Sequence, residues 1–138
     1  MRKMLLSINP KHVENILSGT KRYEFRKVRC RSDVEKMLIY STAPVMMVVG
    51  EAEIVSIIED KPERVWELTS DYSGIAKEFF DRYYKDKDIA VAYKLGKIKK
   101  YLEPLMLSDF GINFAPQSFV YVEWLFNWVN FIILVNKG

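Results

Sequence analysis

Residues Leu5–Lys27 read LLSINPKHVENILSGTKRYEFRK, and their order is strand, helix, strand. Leu5-Leu6-Ser7-Ile8 is a short apolar strand. Asn9 is placed to cap a helix, and Pro10 fits its first position, where a missing N–H costs nothing. Val13, Ile16 and Leu17 recur at i, i+3, i+4 as one buried stripe, and Gly19 stops the helix. Spacing puts His12 on the exposed side, a surface histidine with no partner ligand nearby. Beyond the helix, Tyr23 and Phe25 alternate with Arg22, Glu24 and Arg26, which is the period of a strand.

Working outward, Lys36–Thr42 (KMLIYST) is rich in β-formers and ends at the turn Ala43-Pro44. Met46–Ile58 is a long β-type run with Gly50 as a bulge or tight bend. Lys61–Leu68 reads as a short helix with Pro62 in its first turn. A second helix runs from Ser73-Gly74 to about Tyr84, with Ile75, Phe79 and Tyr83 recurring every four residues. Ile89, Val91, Tyr93 and Leu95 alternate as a strand closed by Gly96, and Phe119–Val122 gives the last strand. Helices inserted early and in the middle among unevenly spaced strands predict a small α+β fold around a mixed or barrel-like sheet. The expected layout is one domain over residues 1–123 and an apolar extension over 124–138.

Composition sets the outer limits. A chain of 138 residues, 49% apolar and 28% charged, supports one packed domain and excludes disordered or low-complexity classes. Cys30 is the single cysteine and His12 the single histidine, which excludes an internal disulfide and any multi-cysteine zinc site. No Walker loop, Gly-x-Gly-x-x-Gly or two-His-carboxylate set occurs, so no cofactor and no metal are expected. The longest uncharged run, Trp124–Asn136, has 13 residues, short of the roughly 20 needed to span a bilayer. The first residues turn polar too quickly for a signal peptide, so a cytoplasmic protein without integral membrane insertion is expected.

Charge is uneven. Residues 1–36 carry ten Lys/Arg against four Asp/Glu, a net +6, whereas residues 51–90 carry six against eleven, a net −5. The densest basic stretch is Ser18–Arg31, with six Lys or Arg and one Glu. If it is a strand, Arg22, Glu24 and Arg26 project from one side, and Lys21, Tyr23, Phe25 and Lys27 from the other. Glu24 then lies between Arg22 and Arg26, leaving N–H donors for a phosphate or carbonyl. The plainer reading is a charge cluster on a wet face. Arg22, Lys27, Arg29 and Arg31 are candidates for tracking nucleic-acid phosphates, and Lys94, Lys97, Lys99 and Lys100 extend them or simply solubilise a strand edge. Cys30, between Arg29 and Arg31, is either a thiol of lowered pKa or an incidental one. Ser41-Thr42 with Lys36 is read as a strand end.

The combination of Leu5–Lys27 with LIYSTAP (38–44), VVGEAEI (48–54), SGIAKEFFDRYY (73–84) and APQSFVYV (115–122) resembles the ASCH domain family of the PUA-like superfamily, over roughly residues 4–122. Its most specific signature is present as Leu17, Gly19, Lys21, Glu24 and Arg26, followed late in the chain by Pro116–Phe119. The resemblance implies a pseudo-barrel with a cleft at the Gly-x-Lys loop, and RNA or a nucleoside-like ligand as partner, with a role in RNA metabolism or regulation. The ligand-binding residues it points to are Lys21, Glu24, Arg26, Gln117 and Ser118. Lys21 and Arg26 can hold phosphate, Glu24 or Gln117 can read a base edge, and Tyr23, Phe25, Tyr40 and Tyr121 offer stacking faces. Lys21 and Glu24 are the catalytic candidates if the protein is an enzyme.

Two alternatives follow from the same resemblance. One is a nucleic-acid-processing enzyme, either a ribonuclease or an amidohydrolase on an acetylated cytidine. In the family's amidohydrolases a Thr nucleophile follows the Lys by three residues. Here that position is Glu24, and the later acid/base Glu falls near Tyr72-Ser73, with no carboxylate closer than Asp71. A carboxylate cannot form the same acyl intermediate as a hydroxyl. The other alternative is a regulatory protein that senses a small molecule. The tail, Trp124–Gly138, is apolar on nearly all sides if helical. It is expected either to fold back on its own domain or to form a homodimer contact, with a membrane or partner-protein contact as a further reading.

Overall fold

The computed structural model describes residues 2–123, and the apolar 124–138 segment, with the homodimer contact expected of it, lies outside them. Six strands form one mixed sheet in the order β2-β5-β4-β3-β1-β6. They are β1 (Arg2–Ile8), β2 (Tyr23–Arg26), β3 (Val34–Ser41), β4 (Met47–Asp60), β5 (Ala90–Leu105) and β6 (Phe119–Glu123). The helices are α1 (Pro10–Ser18), α2 (Pro62–Thr69) and α3 (Lys77–Tyr83), with two 3-10 turns at 70–72 and 107–110. This is the expected α+β architecture with its sheet left open.

β1 and β3 pair in parallel, and every other pairing is antiparallel. A central strand of this kind is covered on both faces, which is why Leu5-Leu6-Ser7-Ile8 reads as a run rather than an alternation. Met4, Leu6 and Ile8 join one core with Val13 and Ile16 of α1, Met37 and Ile39 of β3, and Tyr93 of β5. Leu5 faces a second core with Leu38, Tyr40 and Val48. A third gathers Phe25, Val65, Phe80 and Tyr84 under α2 and α3.

α1 begins and ends where the sequence expects. The Asn9 side chain accepts from the Lys11 N–H at 3.0 Å, and Gly19 takes the left-handed conformation (φ 86°) as its N–H bonds the Ile16 carbonyl. Gly50 lies at a register irregularity of the β4–β5 ladder, and a Cβ there would come within 2.5 Å of the Lys99 carbonyl oxygen. Gly96, in contrast, does not end its strand. β5 continues to Leu105 because β4 is long enough to pair with it on both sides of the glycine, at Leu95↔Ile54 and Ile98↔Ala52. Ladder pairing overrides the local weakness of glycine.

Among the described residues β2 and β6 are the outer strands and are not paired to each other, and hydrogen bonds from the chain after β2 bridge the opening. The Cys30 N–H donates to the Tyr93 hydroxyl at 2.8 Å, and that hydroxyl donates to the Val28 carbonyl at 3.2 Å. The Arg31 N–H donates to the Tyr121 hydroxyl of β6 at 3.0 Å. Burial pushes the Cys30 thiol up, opposite to the activated thiol its arginine neighbours suggest. Because Tyr93 is fully buried, Tyr93→Phe strands a buried N–H, and chemical denaturation should show a loss of about 1–3 kcal/mol. Unchanged stability would mean that this hydroxyl does not hold the segment.

Candidate functional site

Where β1 ends, α1 starts, and the chain enters β2, a cavity of about 170 Å³ opens. Ser7, Ile8 and Asn9 form its floor, with His12 from α1. Lys21, Glu24, Phe25 and Arg26 line it from β2 and the loop before it, and Ile75, Phe79 and Tyr83 from α3 and the loop before it. The four-residue recurrence of Ile75, Phe79 and Tyr83 is therefore the apolar side of the site, with the Phe79 and Tyr83 rings parallel at 6.5 Å.

Lys21, Glu24 and Arg26 come together as the signature predicts. Lys21 is only 3% exposed, and its ammonium donates to the Ser73 carbonyl at 2.7 Å. Gly74 makes room for it, since a Cβ there would lie 2.4 Å from the Lys21 Cβ. Burial pushes the Lys21 pKa down, Glu24 opposes that, and Arg26 adds to it. Arg26 donates from Nη2 to the Ser7 carbonyl at 2.9 Å, while its Nε is 3.6 Å from Glu24 Oε1, an ion pair too long for a hydrogen bond. Lys21 sits 4.8 Å over the Phe25 ring, on the face that strand alternation assigns to both. The cavity lies at an edge strand and takes residues from both of its sides.

Arg22 does not flank Glu24. It is exposed, stacks on Tyr72 at 4.2 Å, and donates from Nε to the Gly19 carbonyl. β2 begins only at Tyr23, so the second cation near Glu24 is Lys21 from the preceding loop. Gln117 and Ser118 are exposed and lie outside the cavity lining. Their segment nevertheless meets the site through Ser7, whose hydroxyl donates to the Pro116 carbonyl at 2.6 Å and whose N–H donates to the Ser118 carbonyl at 3.3 Å.

The phosphate-tracking candidates scatter around this centre. Lys27 stands 4.6 Å over the Tyr83 ring, beside the cavity. Arg29 pairs with Glu59 at 3.7 Å, a half-exposed contact worth at most about 1 kcal/mol, and Arg31 lies 5.0 Å over Tyr121. Lys94, Lys97, Lys99 and Lys100 are exposed along β5. Of the proposed stacking faces, Phe25 lines the cavity. Tyr40 is buried in the core, Tyr23 packs against the α2–α3 core, and Tyr121 holds Arg31. Asp71 is not in the lining, and Glu24 is its single carboxylate.

His12 is the correction. It lines the cavity half-buried, its ring edge-on to Phe79 at 5.6 Å. The signal was present: His12 precedes buried Ile16 by four residues and so shares its face. Ser7 was also readable, because a hydroxyl inside a buried apolar strand needs a partner. Among the described residues, the buried side-chain polar atoms without a hydrogen-bond partner are His12 Nδ1, Glu24 Oε2 and Arg26 Nε. All three belong to this cavity. No group of acidic, His or Cys residues among the described residues is arranged to hold a metal ion.

A basic, aromatic-walled cavity at a sheet edge, in an α+β domain with a mixed sheet, defines the class of fold, and comparison with known proteins gives the family. A profile described as "Domain of unknown function (DUF365)" matches residues 10–115, and the chain belongs to that family. The crystal structure of ASCH from Zymomonas mobilis superposes with a TM-score of 0.83 at 21% identity, over 97% of this chain and 94% of that one. The fold is therefore that of the ASCH domain. A protein named ASCH domain-containing ribonuclease, also from Zymomonas mobilis, is 24% identical over 119 residues, covering 83% of this chain and 80% of the relative. The ATP synthase subunit alpha and the large ribosomal subunit protein uL22 of Ureaplasma parvum are each 31% identical over 87% of this chain. This chain spans only 15% and 39% of their respective lengths. No described helix is long and apolar enough to cross a membrane.

Burial lowers the His12 pKa, Lys21 adds to the shift, and Glu24 opposes it. The fold thus favours the neutral ring, so its contribution to stability is complete above the ordinary value of 6.5 and is lost as pH falls below it. An NMR titration of the His12 ring should give a midpoint below 6.5, raised by Lys21→Met and lowered further by Glu24→Gln. A midpoint at or above 6.5 would mean that burial does not dominate the ring's surroundings.

Proposed function

We propose that this domain binds RNA, seating one nucleotide in the cavity while neighbouring cations hold the adjoining phosphates. The observation that carries the reading is the convergence of Lys21, Glu24 and Arg26 with the rings of Phe79 and Tyr83 on one cavity. Cations and a carboxylate supply polar recognition, and the rings supply a face for a base. At about 170 Å³ the cavity is smaller than the roughly 300–1,000 Å³ typical of drug-sized ligands, which suits one unit of a larger molecule. Lys27, over the Tyr83 ring of the cavity, and Arg29 and Arg31 after β2 are the cations assigned to the adjoining phosphates in this reading.

A ribonuclease is the second reading, favoured by the name of the Zymomonas relative, four-fifths of which this chain covers. End-labelled RNA incubated with the protein separates the two: intact label with saturable binding supports a binder, and discrete shorter products support a nuclease. The amidohydrolase reading loses ground, because the cavity presents Glu24 at the nucleophile position and no second carboxylate.

RNA binding should weaken with salt at a log–log slope of roughly −0.7 per phosphate contacted, and replacing Arg29 and Arg31 by Ala should flatten the slope by about 1.4. Fluorescence anisotropy with a single-stranded oligoribonucleotide measures this. No binding at low salt, or binding indifferent to salt, would defeat the electrostatic part of the reading and favour a small-molecule sensor in the same cavity.

A further inference from the structure

Two of the three cores take residues from helices, one from α1 and one from α2 and α3. The third, around Leu5, Leu38, Tyr40 and Val48, takes none from any of the three. Tyr101, Leu105, Val120 and Val122 pack against this core and stay only partly buried. Leu102 and Phe114, 99% and 83% exposed, are the most exposed large apolar side chains among the described residues. Both belong to the stretch 101–114 that borders the same core. A sheet face with apolar side chains needs a second layer, and among the described residues this one has the least.

We infer that residues 124–138 supply that layer, docking on the Leu5–Leu38–Val48 face of their own chain. The point of entry is the first argument. The segment follows Glu123, which pairs with Arg2 at the end of β6, and Val122 just before it already packs against this core, whereas Phe119 and Tyr121 alternate to the other side. Length is the second. β6, β1, β3 and β4 lie side by side, so the face is about 14 Å across at roughly 4.8 Å per strand. Residues 124–138 reach about 22 Å even if wound as a helix, enough to cross it. The third argument is chemistry. Trp124–Asn136 carries no charge over 13 residues, and its large side chains include Trp124, Phe126, Trp128 and Phe131. On the same face Lys36 and Glu51 are paired with each other at 3.1 Å, and the Tyr101 hydroxyl donates to Glu51 at 3.1 Å, so this pair asks for no charged partner. Tethering one residue from the face gives the chain's own segment a large advantage in effective concentration over a second copy. The inference is independent of the RNA reading.

The test uses the full chain. NMR reads contacts between the indole protons of Trp124 and Trp128 and the methyl groups of Leu105 and Val120, and a mixture of labelled and unlabelled copies separates contacts within a chain from those between chains. Contacts within one copy, at the light-scattering mass of a single chain, are the expected result. Leu105→Glu, which puts a charge beneath the segment, should abolish those contacts while leaving the ones between Met4 and Ile39 in the neighbouring core, and should lower the thermal midpoint by at least about 5 °C. Indole contacts found only between copies, at twice the mass, overturn the inference in favour of an exchanged dimer. Indole contacts that form only with added phosphatidylcholine vesicles overturn it in favour of a membrane surface. Indoles that touch nothing overturn it outright. If Leu105→Glu fails to fold, the contact pattern of the unaltered chain still decides.

Discussion

A lysine ammonium almost wholly withdrawn from water sets the conditions that the rest of this site satisfies. Desolvating a charge costs several kcal/mol unless other groups compensate. Lys21 is compensated by the Ser73 carbonyl, by the face of Phe25 and by the carboxylate of Glu24 nearby. Each of those groups is then constrained in turn. Ser73 must approach closely, which Gly74 permits because it has no side chain to collide with Lys21. Glu24 must stay on the cavity side of β2, and Arg26 must balance it while reaching Ser7 at the end of β1. Four separate stretches of chain are fixed by one buried amine.

The same network explains how an open sheet behaves like a closed one on this side. β2 is an edge strand, and edges invite pairing with other chains unless they are managed. Here Arg26 ties the edge to β1, the Tyr84 hydroxyl of the segment after α3 donates to the Arg26 carbonyl at 2.9 Å, and Arg31 reaches β6 through Tyr121. Charged and polar groups occupy positions where a closed barrel would have ladder bonds. The cavity lies beside the Arg26–Ser7 tie, lined by the end of β1 and by β2.

Much of this was legible because it depends on local rules. The cap at Asn9, the left-handed Gly19 and the spacing of Lys21, Glu24 and Arg26 are set within a few residues, and the structure has them where the sequence puts them. What was not legible depends on partners far away in the chain. Gly96 looks like a strand end until the length of β4 is known. Arg22 looks equivalent to Arg26 until Tyr72 claims it. Tyr40 and Phe25 are both β-strand aromatics in the sequence and both are buried, but only Phe25 also borders the cavity. His12 is an intermediate case, since its face was readable from Ile16 but its Phe79 neighbour was not.

His12 Nδ1, Glu24 Oε2 and Arg26 Nε lack hydrogen-bond partners within the protein, and the fold bears that cost because of where the cavity stands. Each orphaned atom costs about 1–3 kcal/mol, comparable with the roughly 1.5–3 kcal/mol from fully burying one large apolar side chain. Met4, Leu5 and Leu6 on β1 and Met37 and Ile39 on β3 are all completely buried, so this parallel pair alone offsets a deficit of that size. The cavity begins at Ser7, the next residue on the same strand. A site joined directly to the best-buried part of the sheet keeps its geometry. A flexible site would instead relax and pair its own polar atoms, and the preference for a complementary ligand would be lost with them.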